Sequence, residues 1–314
     1  MDSKEKKLIS IVTPCYNEED NVNEVYFQVK AVMELHPQYR YEHIFIDNAS
    51  KDKTVEKLKE IAKIDNNVKI IVNARNFGHI RSPYHAYLSA YGDAVISIVS
   101  DLQDPPTLIN DFIKNWEAGY KIVVGIKAQS EESWLFFYIR KLYYNIVSGL
   151  SETELLQNFT GFGLYDQSVI EICRKIDDPY PYFRGMISDI GFEIKKILFK
   201  QPLRKRGFTK NNFYTLFDIG MLGITNHSKV PLRLATMLGL AISIFSFLIA
   251  IIYMVYKIIF WDSFSLGIAP LVIGIFFFSS VQLFFIGIIG EYIGSIHTQV
   301  LKRPLVIEKE RVNF

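Results

Sequence analysis

The 314-residue chain has room for one soluble domain of about 200 residues plus a smaller unit. Its 35 Lys and Arg nearly balance 33 Asp and Glu; the net charge of +2 says little about partners, no long acidic or basic tail is present, and no nucleic-acid partner is expected. Two distant cysteines, Cys15 and Cys173, exclude a disulfide framework and fit a reducing compartment.

The polar start, Met1 to Lys7, lacks the apolar core of a signal peptide and leads straight into a strand pattern. Strand-like runs follow at Leu8–Pro14, Tyr41–Ile46, Val68–Val72, Ala94–Val99 and Lys121–Gly125. Helical segments are expected between them, at Asn21–Leu35, Asp52–Ile64, Pro83–Tyr91 and Pro106–Ala118. This alternation predicts an α/β fold, a mostly parallel sheet with helices on both faces. Lys195 to Lys200 and the basic stretch Arg204-Lys205-Arg206 close that domain near residue 210. Residues 211–233 then read as a juxtamembrane region, with Phe213–Thr225 patterned as an amphipathic helix.

The last quarter changes character. No charge interrupts Leu234 to Tyr256, and none interrupts Ser263 to Gly290. Each run exceeds the roughly 20 residues that cross a bilayer as a helix. Two spans are therefore expected, at about 234–256 and 266–290 within 234–291, joined as a hairpin, with 292–314 as a tail. Lys229 and Arg233 before the first span, and Lys302 and Arg303 after the second, outnumber Lys257 in the loop. The positive-inside rule then puts the first domain and both termini in the cytoplasm, on the inner membrane. Gly287, Gly290 and Gly294 have the spacing of a helix-packing stripe, within this pair or toward another protomer.

Polar residues gather where the strands end. Thr13-Pro14-Cys15-Tyr16-Asn17-Glu18-Glu19 follows the first strand and Asp47-Asn48-Ala49-Ser50 the second. Asn73-Ala74-Arg75-Asn76-Phe77-Gly78 follows the third, and Ser100-Asp101-Leu102-Gln103-Asp104-Pro105-Pro106 the fourth. Ligands of open α/β sheets bind at this edge. Asp101 and Gln103, two positions apart, are hard oxygen ligands suited to Mg²⁺ or Mn²⁺ on a diphosphate. No Gly-x-Gly-x-x-Gly and no Gly-Lys-Ser/Thr occurs, which disfavours dinucleotide enzymes and P-loop NTPases.

In their order, these motifs resemble the family 2 glycosyltransferases of the GT-A fold, and among them the polyisoprenyl-phosphate glycosyltransferases related to dolichol-phosphate mannose synthase and bactoprenol glucosyltransferases. The resemblance extends through Arg204-x-x-Gly207-x-Thr209-Lys210, Pro231-Leu232-Arg233 and the two apolar runs. It implies that Pro14, Tyr16, Glu18, Asp47, Asn76 and Ser100 serve the nucleotide of a sugar donor, UDP by preference. It implies that Asp101 and Gln103 hold the metal, with Asp101 and Asp104 as the catalytic carboxylates. Lys127, Arg140, Arg204, Thr209 and Lys210 would meet phosphates of donor or acceptor. The implied reaction is inverting sugar transfer to polyprenyl phosphate at the cytoplasmic face, for cell-envelope glycan modification.

Three departures stand against the family pattern. Val99 occupies a position usually held by Asp, Asn48-Ala49 replaces Asp-Gly, and Gly161 and Gly163 stand where an acidic residue and an arginine are common. Val99, Gly161 and Gly163 are the sole support for a rival reading, a non-catalytic nucleotide-sugar-binding accessory protein. A processive polysaccharide synthase is the other rival. It is disfavoured because Lys205 follows Gln201-Pro202-Leu203-Arg204 where those enzymes have Trp, and because there are only two spans.

Overall fold

The computed structural model describes residues 6–128, 156, 158–202, 230–260 and 268–314. In chain order the first half runs β1 (Leu8–Cys15), α1 (Val22–Glu34), β2 (Arg40–Asp47), α2 (Thr54–Ile64), β3 (Val68–Asn73), α3 (Gly78–Leu88) and β4 (Ala94–Ser97). A 3-10 turn at Pro106–Leu108 leads into α4 (Ile109–Glu117) and β5 (Ile122–Lys127). Then come β6 (Phe159–Asp166), α5 (Gln167–Ile176), α6 (Phe183–Asp189) and β7 (Ile194–Phe199). Two long helices, α7 (Val230–Ile259) and α8 (Ile268–Leu301), precede β8 (Glu308–Val312).

The eight strands form one sheet in the order β7-β5-β6-β4-β1-β2-β3-β8. Pairings among β1, β2, β3 and β4, and of β5 with β7, are parallel, while β6 and β8 run antiparallel to their neighbours. This is the mostly parallel, helix-covered sheet of the GT-A expectation. Period-2 alternation divides the strands between two cores. Ile9, Ile11, Phe45, Ile70 and Ile96 face one core with α1, α2 and α4, and Val12, Ile44, Ile46 and Val95 face the other with α3 and α5. In α1, Val22, Val25, Tyr26, Val29, Val32 and Met33 are buried at helical spacing, a stripe that can only face the sheet.

Three features differ from the sequence expectation. Helix α3 begins at Gly78 rather than at Pro83, which lies inside it. Asn76 Oδ1 accepts from Gly78 N (2.8 Å) and Asn48 Oδ1 from Phe77 N (2.8 Å), and these side-chain acceptors start the helix before the proline. The segment after β5 contributes a central antiparallel strand, β6, that the parallel pattern does not announce. Helix α8 runs on to Leu301, and the chain beyond it returns to the sheet as β8 on the free edge of β3.

Lys302 (φ +44°) and Pro304 end α8, a left-handed residue followed by proline in the manner of a helix stop. Ala74 N then donates to Ile307 O (2.8 Å), and Ile70 to Val72 pair with Val312 to Glu310. Side chains fix this strand: Glu308 accepts from Arg311 and His85, Lys59 pairs with Glu310 (2.6 Å), and Asn313 Nδ2 donates to the carbonyls of Ala62 and Val68. Helices α7 and α8 touch each other and are otherwise largely exposed. The windows Val230–Ile249 and Phe277–Leu301 are long and apolar enough to cross a membrane. Among the described residues, nothing lies within 4 Å of a Cβ placed on Gly287, Gly290 or Gly294, so that stripe does not pack α8 against α7. Arg140, Arg204, Thr209, Lys210 and Phe213–Thr225 lie outside the described residues.

Candidate functional site

The ends of β1 and β2 carry two loops laced into one unit. Asn17, at φ +53°, turns its backbone N–H to Ser50 Oγ (2.8 Å), and its side chain accepts from Lys51 N (2.8 Å). Glu18 N donates to Thr54 Oγ1 (2.8 Å) and Glu19 N to Asp52 Oδ2 (3.2 Å). Burial opposes ionisation of Asp52, yet donors from Thr54 and the Glu19 backbone hold its carboxyl below the usual range. Asp47 is fully buried under this turn, where Ser50 donates to it through both backbone and hydroxyl. Burial raises the Asp47 carboxyl against those two bonds.

Asn48 ties the second loop to the third. Its Oδ1 accepts from Asn73 Nδ2 (3.2 Å) and Phe77 N, and its Nδ2 donates to Asn76 Oδ1 (3.0 Å) and Gly78 O (3.1 Å). All four capacities of the amide are used, which an aspartate could not match because it has no donor. The Asn48 departure is thereby a structural join between β2 and β3. Its neighbour Ala49 sits at φ +62°, in the left-handed region where glycine is unstrained.

After β4, Asp101 Oδ1 accepts from Gln103 N (3.1 Å), and Leu102 between them is held at φ +59°. A buried leucine in a left-handed conformation is a strained turn, and it sets the two oxygen-bearing side chains on one short loop. Asp104 points the other way, buried beneath the loop with Val99 N at 3.4 Å from its Oδ2. Burial, then the charge of Asp101, pushes its carboxyl up to about 7.

The opposite wall comes from β6 and α6. Gly161 lies at φ +101° on the cleft surface. A Cβ on Gly163 would meet Val123 O at 2.5 Å and Val124 Cα at 3.1 Å, so the adjacent strand leaves no room for a side chain there. Phe183 packs its ring on Tyr87 (4.9 Å), Tyr165 (5.0 Å) and Tyr84 (6.0 Å), which anchors the first turn of α6. Arg184, next in sequence, lines the cleft and donates from one guanidinium nitrogen to Phe159 O (3.3 Å).

Between these walls lies a cleft of about 670 Å³, large enough for a nucleotide-sugar. Of the residues expected to form the site, Pro14, Tyr16, Glu18, Asn76, Ser100 and Asp101 line it together. Asp47 and Asp104 lie beneath the loops, and Gln103 and Lys127 lie on the same strand-end edge without lining the cleft. The sequence reading missed Arg184 and His79, both in the lining. Arg184 follows the aromatic run Tyr180-Pro181-Tyr182-Phe183, whose rings and proline were the available signal for a built wall.

The lining has five carboxylates, Glu18, Glu19, Asp20, Asp52 and Asp101, against one arginine and no lysine among the described residues. Such a surface repels a diphosphate unless a cation intervenes. Among the described residues no three His, Cys, Asp or Glu side chains cluster as a metal cage. The donor set fits a hard divalent ion that takes one or two protein oxygens and completes its shell from diphosphate and water. Cys15 also lines the cleft, but burial, then the Asp47 and Glu18 charges, raises its thiol well above the ordinary range.

Residues 10–175 match the model of glycosyl transferase family 2. The chain is 34% identical over 299 residues to the uncharacterized glycosyltransferase YkcC of Bacillus subtilis, covering 95% of this chain and 92% of that protein. It is 32% identical over 303 residues to the prophage-derived bactoprenol glucosyl transferase of Shigella flexneri, covering 96% and 97%. Glucosyl-3-phosphoglycerate synthase of Mycobacterium tuberculosis, crystallised with Mn²⁺, UDP-glucose and phosphoglyceric acid, aligns with a TM-score of 0.47 at 17% identity, over 70% of this chain and 78% of that one. By the extent of the family match and the near full-length relatives, the chain belongs to glycosyl transferase family 2.

Proposed function

We propose that the protein transfers a sugar from a nucleoside-diphosphate donor, UDP-linked by preference, to polyprenyl phosphate at the cytoplasmic face of the inner membrane. The observation that carries this reading is an acidic, nucleotide-sized cleft at the carboxyl ends of β1 to β4, in a domain joined through β8 to an apolar helix long enough to span a bilayer. The bactoprenol acceptor in the relative's name agrees with it. Pairing of β8 with β3 brings the chain after α8 back to the domain that precedes α7, which supports an even number of crossings and a cytoplasmic tail.

In this reading Pro14, Tyr16, Glu18, Asn76 and Ser100 bind the nucleoside, while Asp47 holds the turn that presents them. Asp101, helped by Gln103, holds Mg²⁺ or Mn²⁺, which when bound neutralises the charge of the departing diphosphate. The acceptor phosphate is already ionised near neutral pH and needs little help from a base. One of its oxygens forms the bond to the anomeric carbon as the bond to the diphosphate oxygen breaks, with inversion. The protein's task is to align these groups. Arg184, opposite Asp101, offers a positive charge to the incoming phosphate, together with Lys127 and with Arg140, Arg204, Thr209 and Lys210 from outside the described residues.

The test is a panel of labelled UDP- and GDP-sugars with undecaprenyl phosphate and Mg²⁺ or Mn²⁺, run beside Asp101→Ala. Metal-dependent labelled lipid that vanishes in the variant is the expected result and names the donor. A folded wild-type protein that labels no lipid with any donor would return the weight to a binding role.

A further inference from the structure

Where α8 ends, two distant segments bring arginines together with nothing to neutralise them. Arg75, in the β3–α3 connection, and Arg81, in the first turn of α3, both lie over the Phe77 ring, at 4.0 and 5.5 Å from its centroid. Arg81 also donates to Pro304 O, the residue after Arg303, so the return segment lies against the same guanidinium. Lys302 and Arg303 directly follow the apolar window that ends at Leu301.

The cluster lacks counter-charge. Among the described residues, Arg75, Arg81 and Arg303 form no ion pair with a carboxylate. Nε of Arg81 is buried with no acceptor. Glu308, the next carboxylate along the chain after Arg303, is engaged elsewhere, accepting from Arg311 and His85. Burial, followed by the charges of Arg75 and Arg303, lowers the pKa of Arg81, with only the Tyr180 hydroxyl opposing. A half-buried guanidinium facing two others, with an unused N–H, is an arrangement that an anion completes.

We propose that Arg75, Arg81 and Arg303 form a binding site for the phosphate of a membrane lipid, at headgroup level beside the end of α8. The location selects the ligand. If α8 crosses the bilayer, as the proposed function requires, its last turn lies at the interface, and acyl chains running along it bring a phosphate to the level of residues 302–304. Planar guanidiniums then grip that phosphate in two-point contacts that lysines could not duplicate. The site is separate from the cleft, whose lining includes none of the three arginines. The phosphate can come from an anionic phospholipid or from polyprenyl phosphate on its way to the cleft.

The experiment uses the full chain, delipidated in neutral detergent, and native mass spectrometry with three short-chain probes: phosphatidylglycerol, phosphatidylcholine and a polyprenyl phosphate. Arg75→Gln and Arg303→Gln leave the Arg81–Pro304 bond in place, so they test the charge without undocking the return segment. Each should weaken binding of an anionic probe by about fivefold, and together by more than tenfold, with phosphatidylcholine unaffected. Loss confined to phosphatidylglycerol assigns the site to structural lipid, and loss confined to polyprenyl phosphate assigns it to the acceptor. Undiminished binding of both anionic probes to the double variant overturns the proposal. Because binding is read without turnover, a wild type that binds lipid yet transfers no sugar would count against the proposed reaction and not against this site.

Discussion

Ala49 holds a left-handed backbone angle that costs an L-residue about 1 kcal/mol or more, within the loop that closes over Asp47. Ala49→Gly is therefore expected to raise the thermal midpoint of the full chain in detergent, and an unchanged or lower midpoint would show the angle to be unstrained. At Arg184, the single Lys or Arg lining the cleft among the described residues, Arg184→Gln should lower kcat/KM by about 10²-fold, and Arg184→Lys should recover part of it. Equal activity in both variants and wild type would remove this residue from the phosphate path. His43 is fully buried, with Nε2 on Thr13 (2.9 Å) and its ring on Phe45. Burial, against a weaker pull from Asp65, lowers its pKa from 6.5 to about 3. Between those values the unfolded chain binds a proton that the native chain refuses. Stability is thus full above pH 6.5 and falls as pH drops toward 3. His43→Gln should flatten the acid limb of a midpoint-versus-pH curve between 6.5 and 4. Matching slopes in the two proteins would exclude His43 as its source.

Among the elements, β8 has the clearest titratable fastening. Arg311 holds the Glu308 carboxyl down to about 2, against burial and with help from His85. Its contribution is present above the ordinary value of 4.5 and is lost as pH falls through 2. Glu308→Ala should loosen β8 by about 1 kcal/mol, seen as faster hydrogen exchange at residues 308–312 and at their partners on β3. Unaltered exchange would show that backbone pairing alone suffices. The first five strands were legible from the sequence because buried parallel strands are short apolar runs followed by polar loops. The strand β8, Glu308-Lys309-Glu310-Arg311-Val312, carries four charges in five residues, so no hydrophobic pattern marks it; its reward is edge pairing and ion pairs. Helix α3 began early because, beside the local Asn76, Asn48 Oδ1 accepts from Phe77 N, a contact from 29 residues upstream that a local rule cannot see. In the site, the loops after β1, β3 and β4 could be read from their polar composition. Arg184 could not, because its place depends on the fold of β6 and on three tyrosines around Phe183.

For the whole molecule, among the described residues, the β3 edge of the sheet is covered by the segment beyond the apolar helices. A chain ending at residue 229 keeps the cleft-forming loops but exposes β3 along its hydrogen-bonding edge, a template for pairing with other chains. Such a truncated protein is expected to self-associate, as measured by light scattering, and a peptide of residues 302–314 added in trans should reduce the effect. A monodisperse truncated domain would show that the edge needs no cover. The same join has a consequence in time. Synthesis delivers β1 to β7 first, then α7 and α8, and only afterwards the residues that complete the sheet, so Ile70 must wait for Val312. The sheet is finished only when the two helices have been placed so that their far end comes back to the domain that preceded them. If the two helices cross a membrane, as the proposed function requires, a chain whose helices insert in the wrong sense is left with its sheet one strand short, and the fold would keep its own record of correct insertion.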